Sequence, residues 1–185
     1  MIVNVFNGDC AFDVWRRNPT PGDFLVWREN YLIGDIPDLR FDDPEYIAAR
    51  AAALAAGTPG ECGRRINDIA AELDRMERRF AAAGANDTVV LWFDICPFDR
   101  AMLFSLLWRL DCRPPSARPK VELICRDIDW GGRPDDFRHF AGTGVELTPE
   151  DFAEGAEMWA VWRKKHHDNP AAEPDMPHFM RRGLL

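Results

Sequence analysis

Asp9, Asp94 and Asp99 are the residues whose types and spacing most suggest chemistry. Asp9 and Asp94 follow short apolar runs, and Asp99 comes five positions after Asp94. Carboxylates brought together at strand ends could hold Mg²⁺ through oxygen ligands, as in metal-assisted hydrolysis of phosphate esters. For Asp9 the simpler expectation is a helix cap, because aspartate is favoured there. Two thiols, Cys10 and Cys96, sit beside these acids. A thiol at a helix start is activated, but a nucleophile also needs a base. None of the four histidines (His139, His166, His167, His178) is close to either cysteine in sequence. The turn Asn7-Gly8-Asp9-Cys10 opens a helix, whose first N–H groups favour an anion. Arg28 could add a bidentate contact, with Glu29 beside it, and Arg126 is a second cation. Neither a GxGxxG nor a GxxxxGK[ST] pattern is present, so no dinucleotide fingerprint or P-loop is expected.

The elements that must position these residues follow from hydrophobic pattern. Ile2 to Phe6, Phe24 to Trp27, Thr88 to Phe93 and Lys120 to Cys125 read as four strands. The Thr88 run has no charge, as expected of a strand covered on both faces. Helices are expected over Ala11 to Arg17, from Pro44 to a left-handed cap at Gly57, over Glu61 to Ala83, and from Phe98. In the third of these, Ile66, Ile69, Leu73, Met76 and Phe80 recur at helical spacing and predict one buried stripe. Thr148 and Asp151 predict a capping box at the start of a last long helix. Residues 128–147 are rich in Gly, Pro and Asp and read as a loop or lid. Strands alternating with helices predict an α/β protein, a Rossmann-like, mostly parallel sheet of about four strands with helices on both faces. Residues 1–167 form one domain in this reading, and 168–185 a tail. At the carboxyl edge of such a sheet Asn7, Gly8, Asp9, Cys10, Arg28, Glu29, Asp94, Asp99 and Arg126 would meet.

Bulk composition narrows the partners. The 185 residues carry a formal net charge of -8, with 46% hydrophobic and 29% charged residues. That composition is globular, and the negative charge argues against broad binding to nucleic acid. No stretch approaches the roughly 20 apolar residues of a membrane span, so no membrane partner is expected. The first residues lack the pattern of a signal peptide, and five widely spaced cysteines without a CxxC pair suggest reduced thiols in a cytoplasm. The apolar, aromatic face carrying Phe104 and Trp108 is expected beneath a second helical layer, though it leaves a homo-oligomer or a protein-interaction role open.

Four segments carry a family resemblance. The Asn7 to Cys10 turn, PGDFLVWRENYLIGDIP, VVLWFDICPFDRAMLFSLLWRL and FAGTGVELTPEDF resemble, in order, the bacterial family called domain of unknown function 1835. The resemblance covers most of residues 2 to 165. It implies a bacterial, cytoplasmic protein and no particular chemistry, cofactor or enzyme class. Ile95 and Cys96 stand where that family usually has His and Asp, and Cys10 where it has a small hydroxyl residue. Relatives often continue into a further helical region, of which residues 168–185 would be the start. The residues therefore favour binding of a small anionic ligand, such as a nucleotide, over metal-assisted hydrolysis by Asp9, Asp94 and Asp99.

Overall fold

The computed structural model describes residues 1–57, 65–127, 136–168 and 176–184. Its elements run β1 (Ile2–Asn7), α1 (Gly8–Trp15), β2 (Asp23–Trp27), α2 (Pro44–Gly57), α3 (Ile66–Ala82), β3 (Thr88–Asp94) and α4 (Pro97–Asp111), then β4 (Lys120–Arg126), α5 (Asp136–Phe140), β5 (Val145–Glu146), α6 (Pro149–Asp168) and α7 (His178–Gly183). The strands form one sheet in the order β2-β1-β3-β4-β5. The first four are parallel, and β5 is antiparallel to β4. The four expected strands are therefore present, and β5 is a fifth. Its two residues lie in the stretch expected to be a loop, too short to show a period in the sequence. α5 lies in that same stretch, while residues 128–135 are outside the described residues.

Period-two alternation sends the strand side chains to two different layers. Val3, Val5, Leu25, Trp27, Leu91, Phe93 and Leu123 pack with the helices α2, α3, α4, α6 and α7 on one face. Phe6, Val90, Trp92 and Ile124 pack with α1 and Phe137 of α5 on the other. Helices thus lie on both faces, in a thick layer and a thin one. Asn4, the single polar residue of β1, is buried but satisfied. Its Nδ2 donates to the carbonyls of Pro21 and Asp23, and its Oδ1 accepts from Trp92 Nε1 at 3.0 Å. It ties three neighbouring segments of the sheet together.

α4 is buried on nearly every side because α6 lies across it. Phe104 is fully buried, and Trp108 stacks on Trp159 of α6, so the aromatic face is covered within the chain. The crossing is close at Gly155, where a Cβ would come within 2.5 Å of Leu107. Thr148 and Asp151 cap α6 reciprocally, Thr148 N donating to the Asp151 carboxylate at 2.7 Å. Phe179 and Met180 of α7 belong to the main core, and Leu184 bridges to Cys125 beside β4.

Two local expectations change. Gly57 does not take the left-handed conformation; a Cβ there would meet Ile33 Cγ2 at 2.5 Å, so close packing explains the glycine. Ile66 is 50% exposed at the first position of α3, one turn before the stripe of Ile69, Leu73, Met76 and Phe80 reaches the core. The segment expected to begin that helix at Glu61 falls in residues 58–64, outside the described residues. β2 lies at the sheet margin, where Arg79 Nη2 of α3 donates to the Phe24 carbonyl at 2.6 Å, and Arg28 N to Met76 Sδ. No helix among the described residues is long and apolar enough to cross a membrane.

Between β2 and α2 the chain has no regular structure, and Arg50 of α2 organises it. Its Nε donates to Glu29, and its Nη atoms donate to the carbonyls of Asn30, Ile33 and Asp35. Arg50 and Glu29 are 0% and 2% exposed. Replacing Arg50 by Met would take from Glu29 the cation that donates to it and leave three carbonyls without that donor, and breaking such a buried pair costs about 3–5 kcal/mol. Equilibrium denaturation of Arg50→Met should show a loss of that size; a loss below about 1 kcal/mol would mean that the pair is not what holds this segment.

Candidate functional site

The strand order places a reversal between β1 and β3. From β1 the chain first moves outward to β2, then returns past β1 to β3. In open α/β sheets the crevice beyond the strand ends at such a point is the usual ligand site. Here a cleft of two lobes lies there. The larger, ≈ 610 Å³, is lined by Asn7, Gly8, Asp9, Cys10, Ala11, Asp94, Ile95, Cys96, Phe98, Asp99 and Asp127. The smaller, ≈ 250 Å³, is lined by Arg28, Asn30, Ile33, Leu54, Ile69, Glu72 and Leu73, and shares Gly8, Asp9 and Phe98 with the first.

Each wall is set by local sequence. Gly8 has φ +63, a conformation that suits glycine, and a Cβ there would meet nothing within 4 Å. It lets the chain pass directly from β1 into α1. Asn7 makes no side-chain cap bond, so the first N–H groups of α1 have no capping side chain. Asp9 is likewise no cap. Its carboxylate accepts instead from Arg28 Nε at 3.0 Å and Nη2 at 2.7 Å. Arg28 Nη1 also donates to Glu72 at 3.2 Å, and the hydrogen bond to Asp9 raises the Arg28 pKa further above its ordinary value. These contacts leave two of the five guanidinium N–H groups.

The second turn, Asp94 to Asp99, spends most of its polar atoms on itself. Cys96 N donates to Asp94 Oδ1 at 2.8 Å, and Asp94 N to Asp99 Oδ2 at 2.7 Å. Cys96 Sγ caps α4 by accepting from Asp99 N at 3.4 Å. Burial and the neighbouring Asp94 carboxylate push the Cys96 thiol up to about 12, so it stays protonated at neutral pH. The donor atoms of Asp94, Cys96 and Asp99 lie within 4.8 Å of one another, a grouping that does not include Asp9.

The sequence candidates therefore separate. Asn7, Gly8, Asp9, Cys10, Asp94 and Asp99 share the larger lobe, and Arg28 lines the smaller one. Glu29 and Arg126 line neither lobe. Glu29 is turned inward, accepting from Arg50 and from Tyr31 at 2.5 Å. Arg126 is buried with its guanidinium 5.0 Å over the Phe140 ring, and its carbonyl accepts from Ile95 N. Asn30 and Asp127, the last residues of the polar clusters Arg28-Glu29-Asn30 and Arg126-Asp127, also line the cleft. Ile33 and Phe98 line it too, and as apolar residues they carry no sequence signal beyond core. No histidine lines the cleft among the described residues, so neither Cys10 nor Cys96 has a base there.

The electrostatic character is mixed. The larger lobe has four carboxylates, Asp9, Asp94, Asp99 and Asp127, and no cation among its described lining residues. The smaller lobe holds Arg28 and Asn30, the latter with Oδ1 engaged by Leu32 N at 2.9 Å. Alkylation with iodoacetamide on the folded protein should mark Cys10 and Cys112, which are exposed, while Cys96 and Cys125 react only after denaturation. Peptide mass spectrometry reads the order, and early modification of Cys96 would contradict the raised pKa of its half-buried thiol. No family model, curated protein or solved structure matches this chain.

Proposed function

We propose that the chain is a Rossmann-like binding domain that takes a small molecule with an anionic group, of nucleotide-like class, at the switch point between β1 and β3. The observation that carries this reading is the uncapped start of α1 opening on the same cleft as Arg28. A helix N-terminus and a guanidinium together favour a phosphate or carboxylate. The anionic end belongs to the smaller lobe, and the carboxylates of the larger lobe accept from hydroxyl or amino groups on the rest of the ligand. Apolar Phe98, common to both lobes, offers a surface for the ligand's body. Membership of the family called domain of unknown function 1835, with a bacterial cytoplasmic setting, is part of the proposal and rests on the four segments quoted above.

A thermal-shift panel of nucleotides and sugar phosphates tests this. A ligand at about a hundred times its Kd stabilises the folded state by about 2.7 kcal/mol. At least one panel member should raise Tm, and Arg28→Ala should remove that rise. A panel without any rise sinks the reading.

A second reading is metal-assisted hydrolysis of phosphate esters, favoured by the convergence of Asp94, Cys96 and Asp99. It predicts a higher Tm with Mg²⁺ or Mn²⁺, lost in Asp94→Asn. Unchanged melting with both ions excludes it.

A further inference from the structure

The cleft contains an anion of its own. The Asp9 carboxylate sits on the Nε and Nη2 edge of Arg28, the planar fork that recognises carboxylate or phosphate. It also lies in the first turn of α1, where a negative charge interacts with the helix dipole. One side chain thus occupies the Arg28 fork, while its charge lies beside the uncapped start of α1. The contact is not a buried strut. The side chains of Arg28 and Asp9 are 38% and 60% exposed, unlike the Arg50–Glu29 pair at 0% and 2%. Exposed pairs cost little to break, so a bidentate oxyanion can exchange with this one.

We propose that Asp9 is an internal competitor for the anion site, holding the Arg28 fork until an oxyanion of the ligand replaces it. The inference rests on the binding reading given above and adds its regulation and ligand chemistry. The group that displaces Asp9 needs two oxygens spaced like those of a carboxylate, which a phosphate or a carboxylate supplies. Arg28 carries one positive charge between two carboxylates, Asp9 and Glu72, so this triad sums to -1. Ligand binding must overcome that charge. Neutralising Asp9 brings the triad to zero and frees the fork.

Isothermal titration of inorganic phosphate and of succinate, at low ionic strength, into the wild-type chain, Asp9→Asn, Asp9→Ala and Asp9→Ala/Arg28→Ala tests the exchange. At the separations involved a unit charge changes binding by on the order of tenfold or more. Both single variants should bind at least one probe about tenfold more tightly than wild type, and the double variant should lose that gain. The probe that gains identifies the oxyanion as phosphate or carboxylate. Equal or weaker binding by both single variants, with the wild type still binding, overturns the competitor role and leaves the binding site standing. Absence of binding by every protein overturns both. Because Asp9 is exposed, the melting curves of the single variants should match wild type, which separates loss of folding from loss of binding.

Discussion

Arg50 is a wholly buried cation that holds one carboxylate and three main-chain carbonyls, and the shape of the molecule around β2 depends on it. An irregular segment must find partners for the backbone polar groups it turns away from water. Residues 30–35 find them in one guanidinium. Glu29 in turn accepts from Tyr31, Tyr31 accepts from Ser105, and Ser105 accepts from Arg109. Arg109 pairs with Glu77 of α3 and lies 5.0 Å over the Trp27 ring. Burial raises the Glu77 pKa, and the facing Arg109 opposes that rise. Two cations and two anions thus cross-link α2, α3 and α4 inside an otherwise apolar layer. Such networks are costly to desolvate and become favourable only when each member is satisfied, as here.

This interior network and the cleft are separated by one residue. Arg28 faces the cleft, whereas Glu29 faces the core. Alternation along an extended chain produces that split, and it gives the smaller lobe a fixed wall. Asn30 and Ile33, which line it, have carbonyls bound by Arg50. The opposite lobe is tied in another way: the Asp94 to Asp99 turn closes on itself as its backbone N–H groups donate to its own side chains. The cleft is therefore bounded by two independently tied turns, with the Arg28–Asp9 pair as the exposed polar contact between them.

The strands were legible because runs such as Thr88 to Phe93 have a single solution, a slot between two helical layers. The stripe Ile69, Leu73, Met76 and Phe80 and the pair Thr148 and Asp151 were legible because their partners are three or four positions away. The meeting of the Asn7 and Asp94 turns followed from parallel strands ending together. What could not be read depends on partners far along the chain. Glu29 resembled a cleft residue because nothing near it announces Arg50, 21 positions later. Arg126 looked like an anion ligand until Phe140 covered it. Gly57 suggested a cap, although its small size answers to Ile33 across the packing. The short β5 had no length in which to show a pattern.

The margins of the sheet bear on how the protein behaves among copies of itself. An unpaired strand edge is a template for another chain. At β2 the outward Phe24 carbonyl is occupied by Arg79, and the Arg28 N–H by Met76. At the far side, the two-residue β5 covers part of β4, and Leu184 covers Cys125. Both borders are thus partly occupied by the chain's own side chains and short segments. Growth of the sheet by edge addition would first have to displace these contacts.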